Sequence, residues 1–186
     1  LQSSAIWPLL QSKDRIVSSS FGPRINPSCN CYDFHRGIDI DDDGEHQVVV
    51  AVYPGAIQQI SNNDQEGTTT ILIEHEFDQC VRFHHNKAST KKWYTVYEHV
   101  QKTKDNRSLQ IEDVVPAGHV LGTIAHKSHL HFEVRVGSYC SLEWAMLHPS
   151  SKCNRKGYDP HVHPMLLFGT TTSEHNYDLL ALDTLA

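Results

Sequence analysis

The stretch that decides the fold is VVVAVYPGAIQQI, residues 48–60. Residues 48–52 are β-branched or small and apolar, which is typical of a buried strand, and Pro54-Gly55 is a turn signal directly after them. Residues 56–60 continue as a second strand, which we expect to end at the polar turn 62–64. The stretch therefore predicts two short strands in succession.

Four more segments share this strand composition. They are rich in β-branched and aromatic residues and lie between Gly, Pro and Asn turns, at 68–74, 93–97, 120–124 and 131–136. Short strands at short spacing predict an all-β, mainly antiparallel fold with little helix. The only helical patterns are brief, at 142–147 and 178–185.

Chain length fits one domain with a full core, since 186 residues can bury enough apolar surface. We place this domain at 1–168 and a C-terminal tail at 169–186. Within the domain, the polar segment 78–92 is interpreted as an irregular surface insertion.

Charge and hydropathy exclude two classes of partner. The 16 basic and 22 acidic residues give a net charge of −6, and no basic patch interleaved with aromatic residues predicts nucleic-acid binding. No apolar run is long enough to cross a bilayer, so we expect no membrane insertion. We interpret Leu1, in place of an initiator methionine, as a processed end.

Five cysteines favour a secreted protein with disulfide bonds over a cytosolic protein with five reduced thiols. None of them forms a CxxC pair, which argues against a zinc finger. Cys140 and Cys153 could close a short loop, and Cys29 or Cys31 could pair with Cys80.

Three histidine segments carry the functional signal. His35 and Asp39 lie four residues apart, and His129 and His131 lie two apart on a predicted strand, so that this second pair points to one side of the sheet. His99 lies between these segments. Zinc binds imidazole nitrogen and carboxylate oxygen, and a catalytic zinc site leaves one position open for water. The pattern therefore predicts a zinc hydrolase site built from separate segments.

The order of these motifs resembles the lysostaphin/LytM-type zinc endopeptidases over about residues 17–167. The similar motifs are FGPRINP at 21–27, HRGIDI at 35–40, VVAV at 49–52, YEHV at 97–100, VPAGHVLG at 115–122, HLHFEVR at 129–135 and Asp159-Pro160. The ordered set is far more specific than any one motif.

The resemblance implies a zinc site formed by His35, Asp39 and His131, which hold one Zn²⁺ ion. It implies that His99 and His129 are the catalytic histidines, with the choice of general base left open. The implied fold is a compact β-sheet with a substrate groove along one face. The implied reaction is hydrolysis of peptide bonds in bacterial peptidoglycan or another glycine-rich peptide, by a secreted protein that we expect to be a monomer.

The chain departs from the family pattern in three features. Segment 124–128 lacks the usual glycine-rich turn, the insertion around His84-His85 is long, and the cysteines are additional. The first departure keeps open an alternative function, a catalytically silent zinc-binding module that acts in secreted signalling. We interpret His84-His85 and the pair His161 and His163 as surface-loop residues, and His75 as a structural histidine.

Overall fold

The computed structural model describes residues 5–10, 16–26, 29–41, 47–82, 89–102, 109–125, 128–136 and 161–168. These segments form twelve strands and one short 3-10 helix. The strands are β1 (Val17–Ser19), β2 (Gly22–Asn26), β3 (Cys31–His35), β4 (Ile38–Asp41), β5 (Val48–Val50), β6 (Gly55–Asn63), β7 (Thr68–Arg82), β8 (Ser89–Gln101), β9 (Val114–Val115), β10 (Val120–Ile124), β11 (His129–Val136) and β12 (His161–Val162), and the 3-10 helix is Pro164–Leu167.

Ten strands form one antiparallel sheet in which β11 is a central strand. The order across the sheet is β1-β4-β11-β8-β7-β6-β9, with β12 beside β11, and β10 pairing with both β5 and β8. Strands β2 and β3 form a separate two-stranded sheet. The predicted all-β, mainly antiparallel fold with little helix is therefore confirmed. No helix in the described segments is long and apolar enough to cross a membrane.

Alternation along the central strands separates the core from a polar face. On β11, Leu130 and Phe132 are fully buried in the hydrophobic core, while the histidines at 129 and 131 lie on the opposite face. On β4, Ile38 and Ile40 belong to the same core, and Asp39 lies opposite His131 in the register. Because side chains alternate with period two, the residues that bury the core also direct the polar residues to the other face.

The β2–β3 hairpin follows the same alternation. Ile25 and Tyr32 are directly opposite each other and exposed, whereas Arg24 and Asp33 form the next pair and are partly buried. The inward face of the hairpin is therefore polar and lies toward the site described below.

The strand predictions at 56–60, 68–74, 93–97, 120–124 and 131–136 are confirmed, and the run at 48–52 is strand over its first three residues. The prediction that 78–92 is irregular was wrong at both ends of this segment, because β7 continues to Arg82 and β8 begins at Ser89. Long antiparallel pairing holds these polar residues in strand conformation despite their composition. Residues 83–88, the predicted helical segments and the tail at 169–186 lie outside the described residues.

The proposed pairing of Cys29 or Cys31 with Cys80 was wrong. Cys29 and Cys31 are joined to each other by a disulfide bond at the turn of the β2–β3 hairpin. A separation of two residues gave no sequence signal for this pairing, since connectivity does not follow from spacing. The proposed Cys140–Cys153 pair lies outside the described residues.

Candidate metal centre and active site

Three side chains from separate strands converge on the polar face of the sheet. His35 ends β3, Asp39 lies in β4 and His131 lies in β11. Asp39 Oδ1 lies 3.1 Å from His35 Nε2 and 2.9 Å from His131 Nδ1, and these two nitrogens are 3.0 Å apart. The structure thus brings the three expected ligands together as a compact triangle of two nitrogens and one oxygen, which we call the ligand triangle.

Hydrogen bonds on the far side of each imidazole set which nitrogen faces the triangle. His35 Nδ1 lies 2.8 Å from the carbonyl oxygen of Ser20, so its N–H donates there. His131 Nε2 lies 3.1 Å from Glu133 Oε1 and donates to that carboxylate. With these nitrogens protonated, His35 Nε2 and His131 Nδ1 each direct a lone pair into the triangle. Two lone pairs and a carboxylate oxygen at this separation require a cation or a proton between them.

Arg24 holds the other oxygen of the aspartate. Its Nη1 donates to Asp39 Oδ2 at 3.2 Å and to Ser19 Oγ at 2.6 Å. Asp39 therefore keeps Oδ1 in the triangle while Oδ2 is fixed from outside. Sequence reasoning assigned no role to Arg24, because the partner of an inward-facing arginine depends on how the hairpin packs.

The ligand triangle fits a zinc ion. Zinc binds imidazole and carboxylate at roughly 2.0–2.2 Å in tetrahedral geometry, which places neighbouring ligand atoms about 3.3 Å apart. The observed separations of 2.9–3.1 Å are close to this value. Three protein ligands leave one position for water or substrate, which is the arrangement of catalytic zinc sites.

Gly37 allows the turn between β3 and β4 to lie against β11. A Cβ atom at this position would be 2.5 Å from the carbonyl oxygen of Phe132 and 2.9 Å from His131 Nε2. No real Cβ atom tolerates a backbone oxygen at that distance. The glycine therefore lets His35 and Asp39 approach His131.

A β-bulge positions the third histidine segment. Tyr97 and Val100 both belong to the hydrophobic core, and they pair with residues only two apart on β7. The extra residue breaks the alternation at Glu98 and His99, and His99 has a positive φ of 63°. In a regular strand His99 would share the face of Tyr97 and point into the core. The bulge turns it toward the ligand triangle instead.

His99 and His129 lie side by side next to the ligand triangle. Their ring centroids are 5.0 Å apart with an interplanar angle of 71°. His129 Nε2 lies 3.4 Å from Asp39 Oδ1. The side chains of His99 and His129 are 30% and 38% exposed, so both are open to solvent and to a substrate. Glu66 Oε2, on the turn between β6 and β7, lies 3.7 Å from His99 Nδ1.

Ionisation in the ligand triangle is set by its own contacts. Burial opposes the charge on Asp39, but hydrogen bonds from His131 and His35 outweigh it and hold the pKa of the carboxyl well below its usual range. Burial likewise lowers the pKa of His131, but hydrogen bonds to Asp39 and Glu133 raise it to about 10. A cation that binds here must displace this proton, so metal affinity falls as the pH falls.

The pKa of His99 is lowered, whereas that of His131 is raised. Burial and the neighbouring His129 lower the pKa of His99 below its ordinary value of 6.5, and Glu66 counteracts only part of this effect. His99 is therefore neutral at pH 7 and can accept a proton.

Histidines outside the predicted site also had sequence-based interpretations, and the structure agrees with one of these and contradicts another. His75 is buried, its Nδ1 donates to the carbonyl oxygen of Pro54 at 2.8 Å, and its Nε2 lies 2.8 Å from Thr95 Oγ1. These contacts match its interpretation as a structural histidine. The surface-loop interpretation of His161 was wrong, because its side chain is 3% exposed and its Nε2 lies 3.3 Å from Glu133 Oε2. Its neighbour His163 is half-buried and stacks against Phe21.

The comparison with protein families gives one match. The model of peptidase family M23 matches residues 33–141, more than half of the chain. This range contains all five predicted site residues. No curated protein sequence matches the chain at a significant level.

Solved structures share the fold at low sequence identity. The catalytic domain of the antimicrobial peptidase lysostaphin from Staphylococcus simulans has a TM-score of 0.52 and 19% identity, over 84% of this chain and 93% of that chain. The protein cbpa from L. salivarius REN has a TM-score of 0.51 and 21% identity, over 88% and 94%. A zinc containing peptidase from Vibrio cholerae has a TM-score of 0.49 and 19% identity, over 70% of this chain and only 36% of its own length.

Proposed function

Because the chain belongs to peptidase family M23, we propose that it is a zinc-dependent endopeptidase that hydrolyses peptide bonds in bacterial peptidoglycan. One observation carries the proposal. His35 Nε2, Asp39 Oδ1 and His131 Nδ1 converge to within 2.9–3.1 Å of one another, beside the two solvent-accessible histidines His99 and His129. A structural metal site would be closed by a fourth protein ligand, whereas the described part of the chain supplies three ligands to this group.

His35 Nε2, Asp39 Oδ1 and His131 Nδ1 would hold one zinc ion. When bound, zinc polarises a carbonyl group and lowers the pKa of water to roughly 7. His129, which lies closest to the ligand triangle, is placed to donate a hydrogen bond to the oxygen that gains charge as the carbonyl is attacked. His99, whose pKa is lowered, is placed to accept the proton of the attacking water.

The proposed substrate class rests on the family and on the exposure of His99 and His129 to a substrate. Lysostaphin, which shares the fold, is an antimicrobial peptidase. The net charge of −6 provides no general attraction to an anionic wall, so substrate binding would depend on local contacts beside the site. The disulfide between Cys29 and Cys31 favours an oxidising compartment, and we place the activity outside the cytoplasm. All five site residues come from one chain, so we propose that the monomer is active.

The first test measures release of new free amines from purified peptidoglycan sacculi, with and without a zinc chelator. We expect chelator-sensitive release by the wild-type protein, and the chemistry of the fragments identifies the bond. His129→Ala should lose turnover by at least roughly 100-fold while still binding one zinc ion per chain.

His119→Ala is a matched control, since His119 is a partly exposed histidine that directly precedes β10 and is not one of the five site residues. It should keep wild-type activity. Equal activity of the His129→Ala variant would contradict the proposed role. Stoichiometric zinc without release from any sacculus or glycine-rich peptide would instead support the catalytically silent zinc-binding module.

A further inference from the structure

A buried row of charged side chains continues along β11 behind the ligand triangle. Glu133 and Arg135 follow His131 at two-residue steps, so they share its face of the sheet. Arg135 donates to Glu133 Oε2 from Nε at 2.8 Å and from Nη2 at 2.5 Å. His161 of β12 pairs with Arg135 in register and reaches the same carboxylate oxygen. The side chains of Glu133, Arg135 and His161 are only 5%, 3% and 3% exposed.

In this arrangement the two carboxylate oxygens of Glu133 have different partners. Oε2 accepts two hydrogen bonds from the guanidinium of Arg135 and lies 3.3 Å from His161 Nε2, whereas Oε1 accepts the Nε2 proton of His131. A carboxylate that is fixed at one oxygen presents the other at a fixed position. A buried ion pair is weak evidence for stability by itself. The presence of one beside a candidate metal ligand therefore needs an explanation other than stability.

The same side chains could also form a second cation site. Glu98, His131 and Glu133 offer ligand atoms that all lie within 4.8 Å of one another. Two contacts argue against a cation there. The Arg135 guanidinium already neutralises Glu133, and His131 Nε2 would have to give up the proton that it donates to Glu133 Oε1. The geometry therefore favours a proton, rather than a second metal ion, between His131 and Glu133.

We propose that Glu133, held in place by Arg135 and His161, is a positioning residue that orients His131 as a metal ligand. The proposal rests on the proposed function, in so far as the ligand triangle binds zinc. By accepting from Nε2, Glu133 fixes the tautomer of His131 and prevents rotation of its ring, so that Nδ1 stays directed at His35 and Asp39. His161 extends this support to β12, which links the end of the described chain to the metal centre.

The test is zinc affinity, measured by competition with a chromophoric chelator on the metal-free protein. Glu133→Met alone would leave Arg135 buried without its partner, so the informative variant is E133M/R135M. Apolar chains of similar length commonly replace a buried ion pair without loss of stability. In this variant His131 loses its acceptor, and we expect zinc affinity to fall roughly 10–100-fold. The absorption spectrum of the cobalt-substituted protein should change with it.

A rescue variant and a matched control separate positioning from packing. E133Q/R135M returns a neutral acceptor to position 133 and should recover most of the lost affinity, while the packing stays that of the double variant. Glu74→Met removes another carboxylate on the same face of the sheet, where Glu74 contacts Lys92 and Tyr94, and should leave zinc affinity unchanged.

Three results would overturn the inference. The first is wild-type zinc affinity in a folded E133M/R135M variant, and the second is an equal loss of affinity in Glu74→Met. The third is two zinc ions per wild-type chain with one lost in Glu98→Gln, which would identify a second metal site. Failure of the proposed function gives a different result, because the wild-type protein would then bind no zinc or would bind it without releasing any peptide.

Discussion

Replacing Gly37 by alanine tests whether the close approach of the β3–β4 turn builds the metal centre. The added methyl group would lie 2.5 Å from the Phe132 carbonyl oxygen and 2.9 Å from His131 Nε2. An ordinary contact needs about 3.4 Å or more, so the turn must move away from β11 by about 1 Å. The backbone oxygen cannot rotate aside as the end of a side chain could.

Two separate effects follow from this displacement. Overpacking of this size costs about 1–3 kcal/mol in the free energy of unfolding. A shift of about 1 Å in His35 and Asp39 relative to His131 spoils the ligand geometry, and misplacement of this order can lower turnover about 100-fold. We therefore expect Gly37→Ala to weaken zinc binding and to lower activity more than its loss of stability explains.

The measurements are urea unfolding of the metal-free protein, zinc titration and amine release from sacculi. Gly118→Ala is the matched control. A methyl group at Gly118 meets only the side chain of Ile6, at 3.7 Å, but its φ of +82° is unfavourable for alanine. That variant should lose roughly 1–2 kcal/mol of stability and keep wild-type zinc affinity. Wild-type zinc affinity in Gly37→Ala would refute the reasoning.

Three other perturbations have expected outcomes. Burial lowers the pKa of His75 from 6.5 to about 4, so the unfolded chain takes up a proton on this imidazole at a higher pH than the folded protein does. The free energy of unfolding should therefore fall by up to about 3 kcal/mol as the pH drops from 6.5 to 4. Urea unfolding at both pH values should show a smaller fall in the His75→Gln variant. Arg24→Gln removes a clamp on Asp39 Oδ2, and chelator competition should show zinc binding weakened roughly 10-fold or more. His99→Gly should be more stable than His99→Ala by roughly 0.5–1 kcal/mol in thermal or urea unfolding, because glycine relieves the positive φ at this position.

Alternation in the sequence predicted the central part of the fold and the shared face of two of the five candidate site residues. The period of two on β11 places His129 and His131 on one face of the strand, and the same period places Leu130 and Phe132 in the core. Such a pattern is local, and it is readable because one face of the strand must be apolar.

Contacts that depend on packing between distant segments could not be read in the same way. Arg24 reaches Asp39 because the hairpin folds back over the sheet, and His161 reaches Glu133 only because β12 pairs with β11. Arg24 lies within the FGPRINP motif, but the motif named no partner for it, and the pair His161 and His163 was interpreted as part of a surface loop. The disulfide between Cys29 and Cys31 was missed for a related reason, since the hairpin turn that brings the two sulfurs together was not predicted.

At His99, strict strand alternation gives the wrong side-chain direction for a residue that we expect to be catalytic. A regular β8 would have placed its imidazole in the core with Tyr97, and strict alternation would then have argued against a catalytic role. The positive φ of His99 costs free energy, and its side chain stays 30% exposed, whereas a side chain in the core beside Tyr97 would be fully buried. A strained backbone at this position gives no gain in stability. It directs a neutral imidazole toward the ligand triangle, which is useful only if that imidazole takes part in catalysis. The strain at His99 therefore favours the enzyme over the silent zinc-binding module, because a protein that only had to hold the metal would not need His99 on that face.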